Sequence, residues 1–338
     1  MTWRMPAETA PHERTWMAFP SPGYSLGDSP EEHYEARSTW AAVAHAVAEF
    51  EPVTVVVDPR ETDIARTYLG ADITIVDAPL DDAWMRDIGP TFVLADDGTL
   101  GAVDWTFNGW GAQDWASWGN DSLIGALVAA ESGATLVSST MVGEGGGLQV
   151  DGAGTVLVTE TVQRDPGRNP GWSRADVEAE LTRTLGVDRA VWLPRGLTRD
   201  SETYGTRGHV DIVAALPSPG VALVHDQRDP AHPDHEISRE VADILTAAGM
   251  RVVPVPAPET LRDDDGFVDY SYINHYVVNG GVVACSFDDP NDAEAVRILS
   301  EAYPGRRVVT VDARPLFARG GGIHCITQNQ PAAVVPLL

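Results

Sequence analysis

The chain of 338 residues contains no lysine; all 23 of its basic residues are arginine. That absence removes a P-loop lysine, a Schiff-base lysine and a Ser–Lys dyad from the chemistry open to it. Cysteine is nearly absent as well, with only Cys285 and Cys325. No disulfide framework is expected, and a reducing, cytoplasmic setting fits best. No apolar run approaches the ~18 to 20 residues that cross a bilayer, so no membrane partner is expected. Met1 to Pro11 lacks the basic-then-apolar pattern of a signal peptide. Positive charge is scarce: 50 acidic residues against 23 arginines leave a formal net charge of −27. Nucleic acid, which needs a basic footprint, is excluded as a partner. An acid surplus keeps a protein in solution and can also draw in cationic ligands. No GxGxxG follows a strand-like run, which argues against a two-domain dinucleotide-binding layout, although a chain of this length often holds two domains.

What is present repeats. Helical periodicity runs over residues 30–50, with Tyr34, Val43, Val47 and Phe50 in an Ala-rich stretch. Ser173 and Asp176 form a capping box ahead of Val177, Leu181 and Leu185. Ile237, Val241, Ile244 and Leu245 form another stripe, and residues 291–303 a further helix stopped by Pro304. Each helix is followed by a short β-branched run, at residues 53–57, 73–76, 135–137, 190–193, 251–255 and 307–311. Hairpins are expected where Asp97-Gly98 and Asp151-Gly152 separate alternating runs. The loops between these units hold Asp87, Glu144, His209, Asn274 and Cys325, spaced at roughly 60 residues. In a closed array of like units, equivalent loops converge on one axis. That predicts one domain over residues 1–338 with five polar side chains in a single site.

Cys325 follows Gly320-Gly321-Gly322 and has His324 beside it. A lone cysteine is more often a small core residue than a nucleophile, and Cys285, inside Val282-Val283-Ala284, is read as core. His209 and Asp211, two apart, would share one face of a strand and could act on one substrate, or form a structural pair. Trp84 and Asp87 in a Gly-Pro turn could hold a cation, or be core and an ion pair. Glu144 precedes three glycines, but without a lysine the run is no phosphate cradle. A carboxylate there suits a His or a cation. The cluster His225, Asp226, Asp229, His232, Asp234 and His235 matches no zinc or calcium ligand spacing, and reads as an exposed acidic loop.

Taken in order, these motifs resemble the agmatine deiminase and bacterial peptidylarginine deiminase family. The resemblance runs from Met5-Pro6-Ala7-Glu8 and His12 to Met17, through Trp84 to Pro90, Glu144 to Gly147, Arg168-Asn169-Pro170, Gly208 to Asp211 and Ser271 to Asn274, to Cys325-Ile326-Thr327-Gln328. It implies a pentein, a five-bladed α/β propeller around a central active site. Cys325 then matches the nucleophile and His209 the general acid/base. Asp87 and Asp211 match carboxylates that grip guanidinium nitrogens. Glu144 and Asn274 match neighbours that orient the His or the substrate, and Trp84 walls the pocket. The implied reaction is hydrolysis of a small cationic guanidine, agmatine to N-carbamoylputrescine and ammonia, through a Cys thiouronium. No metal and no organic cofactor is called for; a homo-oligomer is left open. Competing classes are a deiminase of free or peptidyl arginine, an amidinotransferase, and a cation-binding protein without turnover. Two stretches depart from the family pattern and bear on the substrate. Tyr204-Gly205-Thr206-Arg207 separates Glu202-Thr203 from Gly208, and Gly322 meets Ile323 directly.

Overall fold

The computed structural model describes residues 2–333. Strand Val53–Val57 shows how the sequence builds it. Every residue is buried, and all are β-branched, which suits a pleated backbone. A strand apolar on both faces belongs in the middle of a sheet. It lies between His12–Ala18 and Thr74–Asp77, parallel to both. Helices Pro30–Ala48 and Thr62–Leu69 make the two crossovers. The sheet is completed by Thr327–Pro331, antiparallel to His12–Ala18 with Gln328 opposite Trp16. The end of the chain thus pairs with its beginning.

Four further sheets repeat the plan of an antiparallel pair, a helix and a parallel strand. In the second, Thr91–Ala95 and Leu100–Thr106 pair antiparallel, and Thr135–Val142 returns parallel after helix Ile124–Glu131. The third holds Gln149–Val150, Thr155–Thr159 and Arg189–Leu193, with helix Arg174–Leu185 between the last two. The fourth holds Ala214–Ser218, Val221–Asp226 and Arg251–Pro256, with helix Asp234–Ala247. The fifth holds Tyr276–Val278, Gly281–Ser286 and Arg307–Asp312, with helix Asp292–Ala302. The expected elements are all there, with ends shifted by a few residues. The helix Ile124–Glu131 is preceded by a 3-10 turn, Asp121–Leu123. The Ser173–Asp176 capping box forms as read. A second one, Ser29 with Glu32, starts helix Pro30–Ala48. Such caps contribute about 1 kcal/mol each.

The polar residues of interest occupy one recurrent place. Asp87, Glu144, His209, Asn274 and Cys325 each lie in the segment leading into the first strand of an antiparallel pair, one per sheet. The main hydrophobic cluster runs beneath them from Trp16 and Trp40 through Trp84 and Tyr272 to Ile326. A smaller one packs Trp3, Val93, Trp105, Val156 and Leu181. Among the described residues no helix is long and apolar enough to cross a membrane.

The cluster expected as an exposed acidic loop is a correction. His225, His232 and Asp234 are buried. His225 meets Ser271 Oγ at 3.1 Å, His232 meets Val268 O at 3.0 Å, and Asp234 accepts from Thr198 N at 2.8 Å. Burial holds His225 down at about 4. The polar groups tie the loop to neighbouring segments rather than facing water, because buried polar atoms must find partners.

Candidate active site

Cys325 sits in the 3-10 turn His324–Ile326, between the glycine run and the closing strand. The turn aims its Sγ at two loops. Asn274 Nδ2 donates to it at 3.3 Å, and Asp211 Oδ2 lies 3.6 Å away. Burial, then the carboxylates of Asp211 and Asp87, push the thiol well above its ordinary value. A cation beside these carboxylates would favour the thiolate.

The expectation that His209 and Asp211 share a strand face is overturned: residues Val210–Ile212 form a 3-10 turn. Asp200 accepts from the backbone N–H of His209 at 2.8 Å and of Thr206 at 2.8 Å. Gly208 takes φ 106°. Those N–H groups are thereby taken from any sheet ladder, and the chain coils. The coil still brings both side chains to the site. His209 Nε2 is 3.2 Å from Glu144 Oε2, and Nδ1 is 3.8 Å from Asp87 Oδ2. Burial disfavours the imidazolium, but the facing carboxylates of Asp87, Glu144 and Asp211 outweigh it and raise His209 to about 9.

Asp87 is not paired with an arginine. Its Oδ2 accepts from Trp110 Nε1 at 2.9 Å and its Oδ1 from Gly146 N at 3.1 Å. Gly146 has to be glycine: a Cβ there would lie 2.5 Å from His209 Nδ1 and 2.9 Å from Asp87 Oδ1. Burial, opposed by His209, leaves Asp87 raised to about 6. Glu144 goes the other way. Burial raises it, and Arg168 at 2.9 Å, with His209, brings it below the usual carboxylate range. Trp84 is buried, packs edge-on against Trp40 at 5.5 Å, and walls a cavity with Asp87 and Cys325. That cavity is about 20 Å³, closed over by Trp110, Trp115 and Tyr204. It holds about one water and no guanidinium, so a ligand must displace part of the cover.

All seven residues singled out in the sequence, Cys325, His209, Glu144, Asp211, Asp87, Trp84 and Asn274, therefore meet at one place. Sequence reasoning missed the groups behind them. Arg168 donates to Glu144 and, through Nη2, to Thr206 O at 2.7 Å. His324 Nδ1 is 2.8 Å from Asp211 Oδ2, and its Nε2 is 3.4 Å from Glu8 Oε2. Arg86 Nη2 lies 3.5 Å from that same Glu8. Burial opposes ionisation of Asp211, and His324 overcomes it, keeping Asp211 below the ordinary value. Asp211 Oδ1 is buried and free of any hydrogen bond among the described residues. Arg168, Glu8 and His324 all lie inside the motifs quoted above; their role required knowing which loops meet. Arg207 lines no part of this cavity.

The arrangement joins a thiol, an imidazole that is protonated at neutral pH, and carboxylates on two sides of a closed space. That is suited to attack on a planar cation and protonation of what leaves. Among the described residues no group of His, Cys, Asp and Glu is arranged to hold a metal ion.

The chain is similar to known proteins over nearly its whole length. The family model described as Porphyromonas-type peptidyl-arginine deiminase matches residues 4–331. A Streptomyces coelicolor relative is 58% identical, with 98% of this chain and 99% of its own length covered. The agmatine deiminase of Ectopseudomonas mendocina is 39% identical over 98% of this chain and 96% of its own. The solved agmatine deiminase of Enterococcus faecalis superposes with a TM-score of 0.90 at 31% identity, covering 98% of this chain and 97% of the other. With the match running from the first strand to the last, this chain belongs to the Porphyromonas-type peptidyl-arginine deiminase family.

Proposed function

We propose that the protein hydrolyses agmatine to N-carbamoylputrescine and ammonia, as a single catalytic unit. The observation that carries this is the meeting of Asp87, Glu144, His209, Asn274 and Cys325, one from each sheet, beside a small cavity walled by Trp84, Asp87 and Cys325. Relatives named agmatine deiminase, among them those of Ectopseudomonas mendocina and Pseudomonas aeruginosa, supply the substrate.

In this reading the guanidinium lies against Trp84 with its nitrogens held by Asp87 and Asp211. Its charge offsets the two carboxylates that hold the thiol up, so the Cys325 proton passes to solvent as the substrate binds, to return when the product leaves, and sulfur attacks the guanidinium carbon. A tetrahedral adduct forms. His209, as imidazolium, protonates the departing amino group and ammonia leaves, giving a thiouronium on Cys325. The neutral His209 then takes a proton from water, the oxygen adds to the same carbon, and the C–S bond breaks to return thiolate and ureido product. The remaining proton leaves with ammonia as ammonium. Glu144, braced by Arg168, keeps His209 charged and oriented; His324, backed by Glu8, does the same for Asp211. Two free, buried cysteines favour a reducing, cytoplasmic location.

The test is a panel assay for ammonia and ureido product with agmatine, arginine and an arginyl peptide, without added amine. Agmatine should give both products at the highest kcat/KM. Arginine as the best substrate would refute the assignment, and no ammonia without an added amine would point to amidino transfer.

A further inference from the structure

A larger cavity, of about 310 Å³, lies against the one at Cys325 and shares Tyr204 and Gly320 with it as walls. Its lining is acidic: Asp200, Glu202, Asp265 and Asp269 stand with a single arginine, Arg199. Acidity alone is ordinary on a chain carrying −27. Asp269 is not. It is only 6% exposed, yet among the described residues no other residue donates a hydrogen bond to its carboxylate or forms an ion pair with it. Arg199 is committed to Asp263 at 2.6 Å and Asp265 at 3.7 Å. Asp200 is committed to the N–H groups of Thr206 and His209. Burial, and after it the charge of Asp200, raise Asp269 to about 7. On the cavity wall and without a donor from another described residue, its carboxylate is open to a cation entering that space. The same cavity is walled by Tyr24 and Tyr204, stacked on each other with centroids 4.9 Å apart.

We propose that this outer cavity receives the far, ammonium end of the substrate, and that Asp269 is the carboxylate that binds it. The inference rests on the reading above, that the substrate is a guanidine with an amine tail. With the guanidinium at Cys325, the tail leaves past the Tyr204 and Gly320 partition into the acidic space. A tail bearing a carboxylate would meet four acids there, and Arg207 lines neither cavity. Asp269 thus sets specificity, while Asp87 and Asp211 hold what every guanidine shares.

The experiment compares agmatine with n-butylguanidine, which has the same carbon chain and no ammonium. Wild-type protein should prefer agmatine by about tenfold or more in kcat/KM, as expected for a charge-assisted contact. Asp269→Asn should raise KM for agmatine by about tenfold to a hundredfold with kcat little changed, and leave n-butylguanidine untouched. If Asp269→Asn keeps the wild-type preference, or lowers both substrates equally, the assignment is overturned. The wild-type comparison needs no variant: equal turnover of the two guanidines removes the subsite while the cysteine chemistry stands. Turnover of neither sinks the proposed function, and this inference with it.

Discussion

Cys285 and Cys325 are both free and buried, and one residue touches both: Asn274 accepts from Cys285 Sγ through its backbone oxygen at 3.2 Å and donates to Cys325 Sγ through its side-chain amide at 3.3 Å. Their surroundings part from there. Cys285 lies on strand Gly281–Ser286, paired on both sides, and burial, with a smaller push from Asp292, takes its thiol up to about 12. Cys325 lies on a turn at a cavity wall, and two carboxylates contribute to its raised value. A thiol held up by burial has nothing to relieve it. One held up by facing carboxylates is released when a cation neutralises them. In the proposed mechanism, reactivity follows from what faces the sulfur, since both thiols are buried.

The sharpest break of that comparison is Cys325→Ala, which should remove turnover to below detection while circular dichroism and melting remain those of a folded protein. Turnover near wild type would move the nucleophile elsewhere. Next in size, Asp87→Asn and Asp211→Asn should each lower kcat/KM by about a hundredfold or more, since each removes charge from the grip on the guanidinium. If both variants keep normal rates, the carboxylates are not what releases the Cys325 thiol. The pH profile should show a milder loss, about tenfold per unit beyond each limb. Asp87 must be ionised, so kcat/KM falls below about 6. His209 must be protonated, so it falls above about 9. A profile flat from pH 5 to pH 10 would contradict both roles. The smallest effect belongs to Cys285→Ala. Activity should stay within about twofold, while the protein loses about 1–2 kcal/mol of stability through a small cavity and the loss of one of the two hydrogen bonds that the Asn274 backbone oxygen accepts. Denaturant melts and the ammonia assay, run side by side, would separate the two cysteines.

The same contrast holds for the histidines. His209 faces carboxylates across a space and is raised to about 9; His225, tucked against Ser271, is lowered to about 4. Sequence context misjudged the second cluster as exposed. Its run of Asp, His and Pro has the composition of a surface loop, and composition carries no information about which segments fold over it.

What the sequence by itself determined is the local and the periodic. β-branched runs and capped helices recur because their patterns satisfy backbone and side-chain preferences within a few residues. The spacing of Asp87, Glu144, His209, Asn274 and Cys325 was legible because each opens the same kind of unit. What only the tertiary structure decided is everything that needs two distant segments at once. His209 and Asp211 reach the site from a coil rather than a strand, because Asp200 takes the backbone N–H groups that a ladder would use. Glu8 stands behind His324 from the other end of the chain, and Arg168 behind Glu144. Among the described residues, Asp269 is seen to lack a partner only once Arg199 is found committed to Asp263 and Asp265. Charge and hydrogen-bond satisfaction are properties of neighbours in space, so no reading along the chain could have assigned them.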